Sequence, residues 1–204
     1  MATSASPTGL VPVKLLNGTP YAGAFRQYDI ANNYGTNIFN GSLVKINTAG
    51  VVELMVEQGT NGDQFDATTI GVLVGCSYTD PNTSQLTFQN YYPASTVASD
   101  IKAFVIDDPD VLFRAQCDGA LTAGVGSNIH LANVQSTSTG STLSGRSNVA
   151  LDASEAASTA TFGLRIVELV DDGLNSPGDA FTEVLVKIQI GDHSFTQTTG
   201  VATS

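Results

Sequence analysis

Two histidines, His130 and His193, are the only imidazoles in the 204 residues, so a hydrolytic triad would have to take its base from one of them. Asp192-His193-Ser194 sets acid, base and nucleophile types side by side. Neighbours on an extended chain point to opposite faces, so this adjacency does not assemble the nucleophile, base and orienting group that such chemistry needs. No GxSxG accompanies it, and a polar histidine at a strand end is the expectation. Cys76 and Cys117 stand in VGCSY and RAQCDG, match no CxxC pattern and have no lysine or histidine close in sequence to lower a thiol pKa. Free, partly buried thiols are expected. Two histidines and two separated cysteines also make a poor zinc set. Asp107-Asp108-Pro109-Asp110 invites calcium, but an EF-hand loop needs alternating oxygen ligands, a glycine at its sixth position and a closing glutamate, so a turn explains the run better. Gly124 and Gly126 do not complete a GxGxxG, and no helical pattern follows them to hold a phosphate. Nineteen acids leave open a carboxylate pair for glycoside chemistry, yet with no tryptophan a sugar platform would have to be built from tyrosine and phenylalanine. The expectation is a protein that binds and does not catalyse, with no catalytic residue, metal or cofactor.

The elements that would position any site are strands. Ile38 to Tyr92 reads as short runs of β-branched and aromatic residues closed by Gly, Asn, Asp or Pro clusters, with no helical period. Val44 and Ile46 alternate with Lys45, Asn47 to Gly50 turns the chain, and Val52, Leu54 and Val56 share one face of the returning strand. Gln58 to Asp66 is a polar connection. Ile70 to Cys76 is apolar on both faces, as a central strand is, and Asp80-Pro81-Asn82-Thr83 turns it toward Leu86 and Phe88. KAFVI and VLFRAQ, joined by Asp107 to Asp110, read as a second hairpin. Phe162 to Val170 and Thr182 to Ile190 are the last two strong strands, the latter alternating Val184, Val186, Ile188 and Ile190 against Glu183, Lys187 and Gln189. The fold class is therefore all-β, a barrel or sandwich of antiparallel strands.

Three stretches fall outside this frame. Residues 1–20 carry Pro7, Pro12 and Pro20 among Ser, Thr and Gly, with Leu10, Val11, Val13, Leu15 and Leu16 adding apolar weight. They are expected to form an extended arm that lies on something, or an edge strand on their own domain. Residues 135–161 are almost wholly Ser, Thr, Gly and Ala, with Leu143, Val149 and Leu151 the sizeable apolar groups, and are expected to make a long surface excursion, with one helical turn at 154–157. Residues 196–204 form a tail, which leaves 21–195 as the β-rich domain. Between arm and strands, YAGAFRQYDIANNYGTN sets tyrosines among small polar residues, a composition suited to interfaces.

Charge bounds the partners. Only 13% of residues are charged, but 19 Asp and Glu against 8 Lys and Arg give a formal net charge of -11. That field repels phosphate, so nucleic acid is not expected, and an acidic exterior maintains solubility. The first residues show no basic segment leading into an apolar core, and no apolar run approaches the ~18 residues of a membrane span, so a cytoplasm-made chain without a membrane partner is expected.

The strings YAGAFRQYDIANNYGTNIFNGSLVKINTAGVVELM, GVLVGCSYTDPNTSQLTFQNYYPA and EVLVKIQIGDHSFTQTTG resemble text in the head decoration, or capsid cement, proteins of tailed bacteriophages, above all the G-V-x-x-G-C-x-Y-x-D core spanning Gly71 to Asp80. The likeness covers about half the chain, and residues 135–161 have no counterpart in it. It implies a virion structural protein seated on the capsid exterior, binding the major capsid protein as a homotrimer and cementing neighbouring subunits, with contacts from Leu10, Val11, Val13, Leu15, Tyr21, Phe25, Tyr28 and Tyr34. A tail, neck or head-fibre component fits the strand pattern equally, and a glycan-binding module using the loops from Tyr28 to Asn37 is the alternative of another class.

Overall fold

A computed structural model describes residues 4–56, 66–122, 124–129, 131–132, 140–158, 162–170, 173, 175–176 and 178–189. Among the described residues fifteen strands run in chain order: β1 (Val11–Leu15), β2 (Arg26–Asp29), β3 (Leu43–Ile46), β4 (Val52–Leu54), β5 (Thr69–Thr79), β6 (Leu86–Gln89), β7 (Lys102–Ile106), β8 (Val111–Gln116), β9 (Asn128–Ile129), β10 (Leu131–Ala132), β11 (Gly140–Ser141), β12 (Arg146–Ser147), β13 (Ala150–Leu151), β14 (Leu164–Leu169) and β15 (Glu183–Ile188). No helix occurs among the described residues. Turn, bridge and irregular backbone occupy 154–157 in place of the expected helical turn, because the Asp152 carboxylate accepts from the Ser154 N–H and Ala157 bridges to Asn128.

The strands form two open sheets and two small ribbons, so the all-β expectation holds while a closed barrel does not. One sheet has the order β1-β8-β15-β14-β9; the other is β2-β7-β5-β3-β4, with β6 also paired to β5. Every pairing between these strands is antiparallel. Leu43, Val72 and Ile106 of the six-stranded sheet pack into one cluster with Phe113, Ala115, Leu164, Ile166, Val184 and Val186 of the five-stranded sheet, so the sheets share a core. A second cluster covers the other face of the six-stranded sheet, where Val44, Leu73, Cys76, Ala103 and Val105 meet Ile30, Ile38, Tyr92 and Ile101. β5 is buried on both faces, as its sequence predicts, and it manages this with irregularities opposite Val44/Lys45 and at Leu73/Gly75 that redirect its side chains.

Two expectations change in three dimensions, and a choice between two readings is made. KAFVI and VLFRAQ do not form a hairpin: β7 pairs with β2 and β5, β8 pairs with β1 and β15, and Asp107 to Asp110 carries the chain from one sheet to the other. Alternation reads the same for two strands of one hairpin as for two strands of facing sheets. Residues 11–15 take the edge-strand form of the two readings of 1–20: β1 lies along β8, and Leu10, 1% exposed, is inside the core. The backbone crosses closely there, with Leu10 N–H donating to Gly41 O at 2.9 Å and both Gly9 and Gly41 at positive φ. Within 135–161, the described residues 140–158 are not all surface, since Ser147, Val149, Ala150, Leu151 and Ala153 are buried and three of these five, Val149, Leu151 and Ala153, belong to the shared core. Small side chains fit where the layers approach closely, which a tally of large apolar residues does not detect.

Candidate binding face

The residues whose chemistry opened the sequence reading do not converge. His130 and Asp192 to Ser194 lie outside the described residues. Cys76 and Cys117 are free and fully buried, in different core clusters. Burial pushes both thiols up to about 12, aided at Cys117 by Asp118 and Asp152, so each is protonated at neutral pH and a poor nucleophile. Asp107 is 6% exposed at the sheet-to-sheet corner, where it accepts a hydrogen bond from the Tyr28 hydroxyl at 2.6 Å and pairs with Arg26 at 2.9 Å. Burial, then that bond, raises the Tyr28 hydroxyl to about 12. Asp110 N–H donates to the Asp108 side chain at 2.8 Å, the turn chemistry expected of the aspartate run. Among the described residues no group of three or more His, Cys, Asp or Glu is placed to hold a metal ion.

The proposed contact residues divide. Leu10 is core, and Val11, Leu15, Tyr21, Tyr28 and Tyr34 are half-buried. The tyrosine hydroxyls are used internally: Tyr21 donates to Ala24 O, Tyr28 to Asp107, and Tyr34 accepts from Leu54 N–H at 3.2 Å. These rings staple loops to the sheet. Val13 at 42% and Phe25 at 49% exposure face solvent.

Phe25 is one end of the surface that stands out. Opposed residues of an antiparallel ladder share a face, and the registers Gln27↔Phe104, Phe104↔Gly75 and Ser77↔Phe88 carry one face across β2, β7, β5 and β6. The Phe25 and Phe104 ring centroids lie 5.0 Å apart, and those of Phe104 and Phe88 6.2 Å apart with planes 23° from parallel. Gly75 makes this row possible: a Cβ there would stand 2.8 Å from Gln89 O and 3.6 Å from the Phe104 ring. Leu86, two residues from Phe88 on β6, extends the row. Phe88 is 67% exposed and Leu86 61%. Lys102 and Asp29 flank the row as an ion pair, so its border is electrically balanced in a strongly acidic chain. Covering the exposed parts of Phe25, Leu86 and Phe88 is worth on the order of 1–2 kcal/mol each. Such a strip has the make-up of a protein contact, aromatic at its centre and polar at its rim.

Sequence reasoning reached Phe25 and missed Leu86, Phe88 and Phe104. The alternation in Leu86-Thr87-Phe88-Gln89 announces a strand with one apolar face, and nothing in it says that no layer covers that face. No family model matches the chain, and no curated protein or solved structure shows significant similarity to it.

Proposed function

We propose that the chain is a virion structural protein of a tailed bacteriophage that binds the outer surface of the assembled capsid and holds neighbouring capsid subunits together, acting by contact and not by chemistry. The observation that carries the contact half of this reading is the solvated apolar strip of Phe25, Phe104, Phe88 and Leu86 on the six-stranded sheet. The phage half is supported by the resemblance of Tyr21 to Met55, Gly71 to Ala94 and Glu183 to Gly200 to decoration proteins. A ligand that binds the assembled lattice and not free subunits stabilises the lattice by its binding free energy, and this is the physical content of cementing. In this reading the major capsid protein is the partner, the protein acts as a homotrimer on the capsid exterior, and nucleic acid and membrane take no part.

Co-sedimentation with capsids stripped of their decoration tests it. Wild-type protein is expected to pellet with the shells, and Phe25→Ser combined with Phe88→Ser to stay in the supernatant while keeping its thermal melt. Association with tails alone, or unchanged capsid binding by the double variant, would overturn the reading.

A further inference from the structure

Leu143 is 97% exposed, the most solvated large apolar side chain among the described residues. It sits at the tip of the β11–β12 ribbon, whose strands pair Gly140 with Ser147 and Ser141 with Arg146. Gly145 N–H donates to Ser141 O at 2.7 Å and closes the turn. The root is bonded to residues flanking β3 and β6: Asn40 N–H donates to Gly145 O at 3.0 Å, Ser147 N–H to Asn40 O at 2.9 Å, and the Asn90 side chain to Ser144 O at 2.9 Å. Gly140 lies against the Phe39 ring, and Gly145, at φ +69, against Asn90. A leucine on a preorganised tip loses little conformational entropy when it docks.

The same chain carries an aliphatic groove of about 310 Å³ on the outward side of the five-stranded sheet. Val13, Leu169, Val170 and Leu185 line it, with Lys14, Glu168 and Arg114 at its edges. Lys14 pairs with Glu168 and Arg114 with Glu183. The groove border is thus charge-balanced where the chain as a whole would repel a second copy, and Glu168, 42% exposed, is its more accessible carboxylate. Arg146, exposed beside the tip, is the complementary charge.

We propose that Leu143 of one copy seats in the groove between Val13 and Leu185 of a second copy, with Arg146 approaching Glu168, so that copies join head to tail. Tip and groove are different surfaces of one chain, so the contact is heterologous, and repeating it closes a ring if the rotation allows. It supplies the contact for the self-association proposed above and is independent of what the aromatic strip binds.

Sedimentation velocity over a micromolar concentration series, with mixed-cysteine cross-linking, tests it. The full-length chain is expected to associate, and Leu143→Asp and Val13→Asp each to weaken association roughly 10- to 100-fold with the thermal melt of Leu143→Asp unchanged. Leu143→Cys mixed with Val13→Cys is expected to give a disulfide joining the two different variants, absent when either is oxidised alone; the native thiols are buried and do not compete. A Leu143→Cys homodimer forming as readily would overturn the head-to-tail geometry. Unchanged association of Leu143→Asp would overturn the contact and leave self-association standing. A monomer at every concentration would overturn both, with capsid co-sedimentation still to be judged separately.

Discussion

Asp66 and Lys45 show how single polar residues are made tolerable inside this fold. The Asp66 carboxylate accepts from Lys45 at 2.9 Å, from the Thr68 hydroxyl at 2.7 Å and from the Thr68 N–H at 2.9 Å. Burial alone would raise its pKa, but the Thr68 bonds and the Lys45 charge outweigh burial and hold it below the ordinary 3.8. A carboxyl lowered in the folded state contributes stability above its unfolded pKa, and that contribution is lost as pH falls through the folded value. Asp66→Asn is therefore expected to cost about 1–3 kcal/mol at pH 7 in urea denaturation, with the gap to wild type narrowing below about pH 4. The thiols act at the other end of the scale. Cys76 and Cys117 rise from 9.0 to about 12 on burial, so the native protein holds protons that the unfolded chain releases, and their contribution is complete below pH 9 and lost as pH rises from 9 toward 12. Native stability is expected to fall over that window. At pH 8 neither thiol is expected to react with a thiol reagent until the protein is unfolded, which a colorimetric thiol count with and without denaturant reads directly.

At the scale of elements, β5, which its apolar run announces, and the segment 146–153, which no local pattern announces, both carry core structure. β5 pairs with three strands, and Gly75 is where β6 and the Phe104 ring approach its backbone. Gly75→Val is expected to destabilise by about 1–3 kcal/mol through overpacking, seen as a lowered denaturation midpoint, and to lower capsid binding by displacing Phe104 and Phe88. Residues 146–153 look like surface text, yet Leu151 is fully buried, pairs with Leu131 and bridges to Cys117. Leu151→Ala is expected to cost about 2–5 kcal/mol, whereas Leu143→Ala, eight residues earlier, is expected to leave stability within about 0.5 kcal/mol. Chemical denaturation of the two variants separates core from surface within one Ser/Thr/Gly-rich stretch. The corner at Asp107 teaches the same lesson from the opposite direction: its turn residues were legible, and its role as a passage between sheets was not.

For the whole molecule, two open sheets sharing one core leave parts of their faces exposed: the aromatic strip continues the Ile106 face of the six-stranded sheet beyond the shared core, and the aliphatic groove stands on the outward side of the five-stranded sheet. Phe88→Ser alone is expected to keep the melting temperature within a few degrees while lowering capsid co-sedimentation several-fold, because the ring is 67% exposed and its removal opens no cavity. What the sequence by itself determined is local. Alternation in Val184 to Ile188, turn chemistry at Asn47 to Gly50 and Asp80 to Gln85, and the doubly apolar run of β5 name the strands and the all-β class, since side-chain period and turn preference act within a few residues. The tertiary structure alone decided which faces meet. It placed KAFVI and VLFRAQ in different sheets, put Leu10 and Leu151 inside, turned the tyrosine hydroxyls inward and left Phe88 and Leu143 outside. An apolar residue in a strand has the same signature whether a second layer covers it or solvent does; the difference lies in contacts between residues far apart in the chain, which no local pattern records.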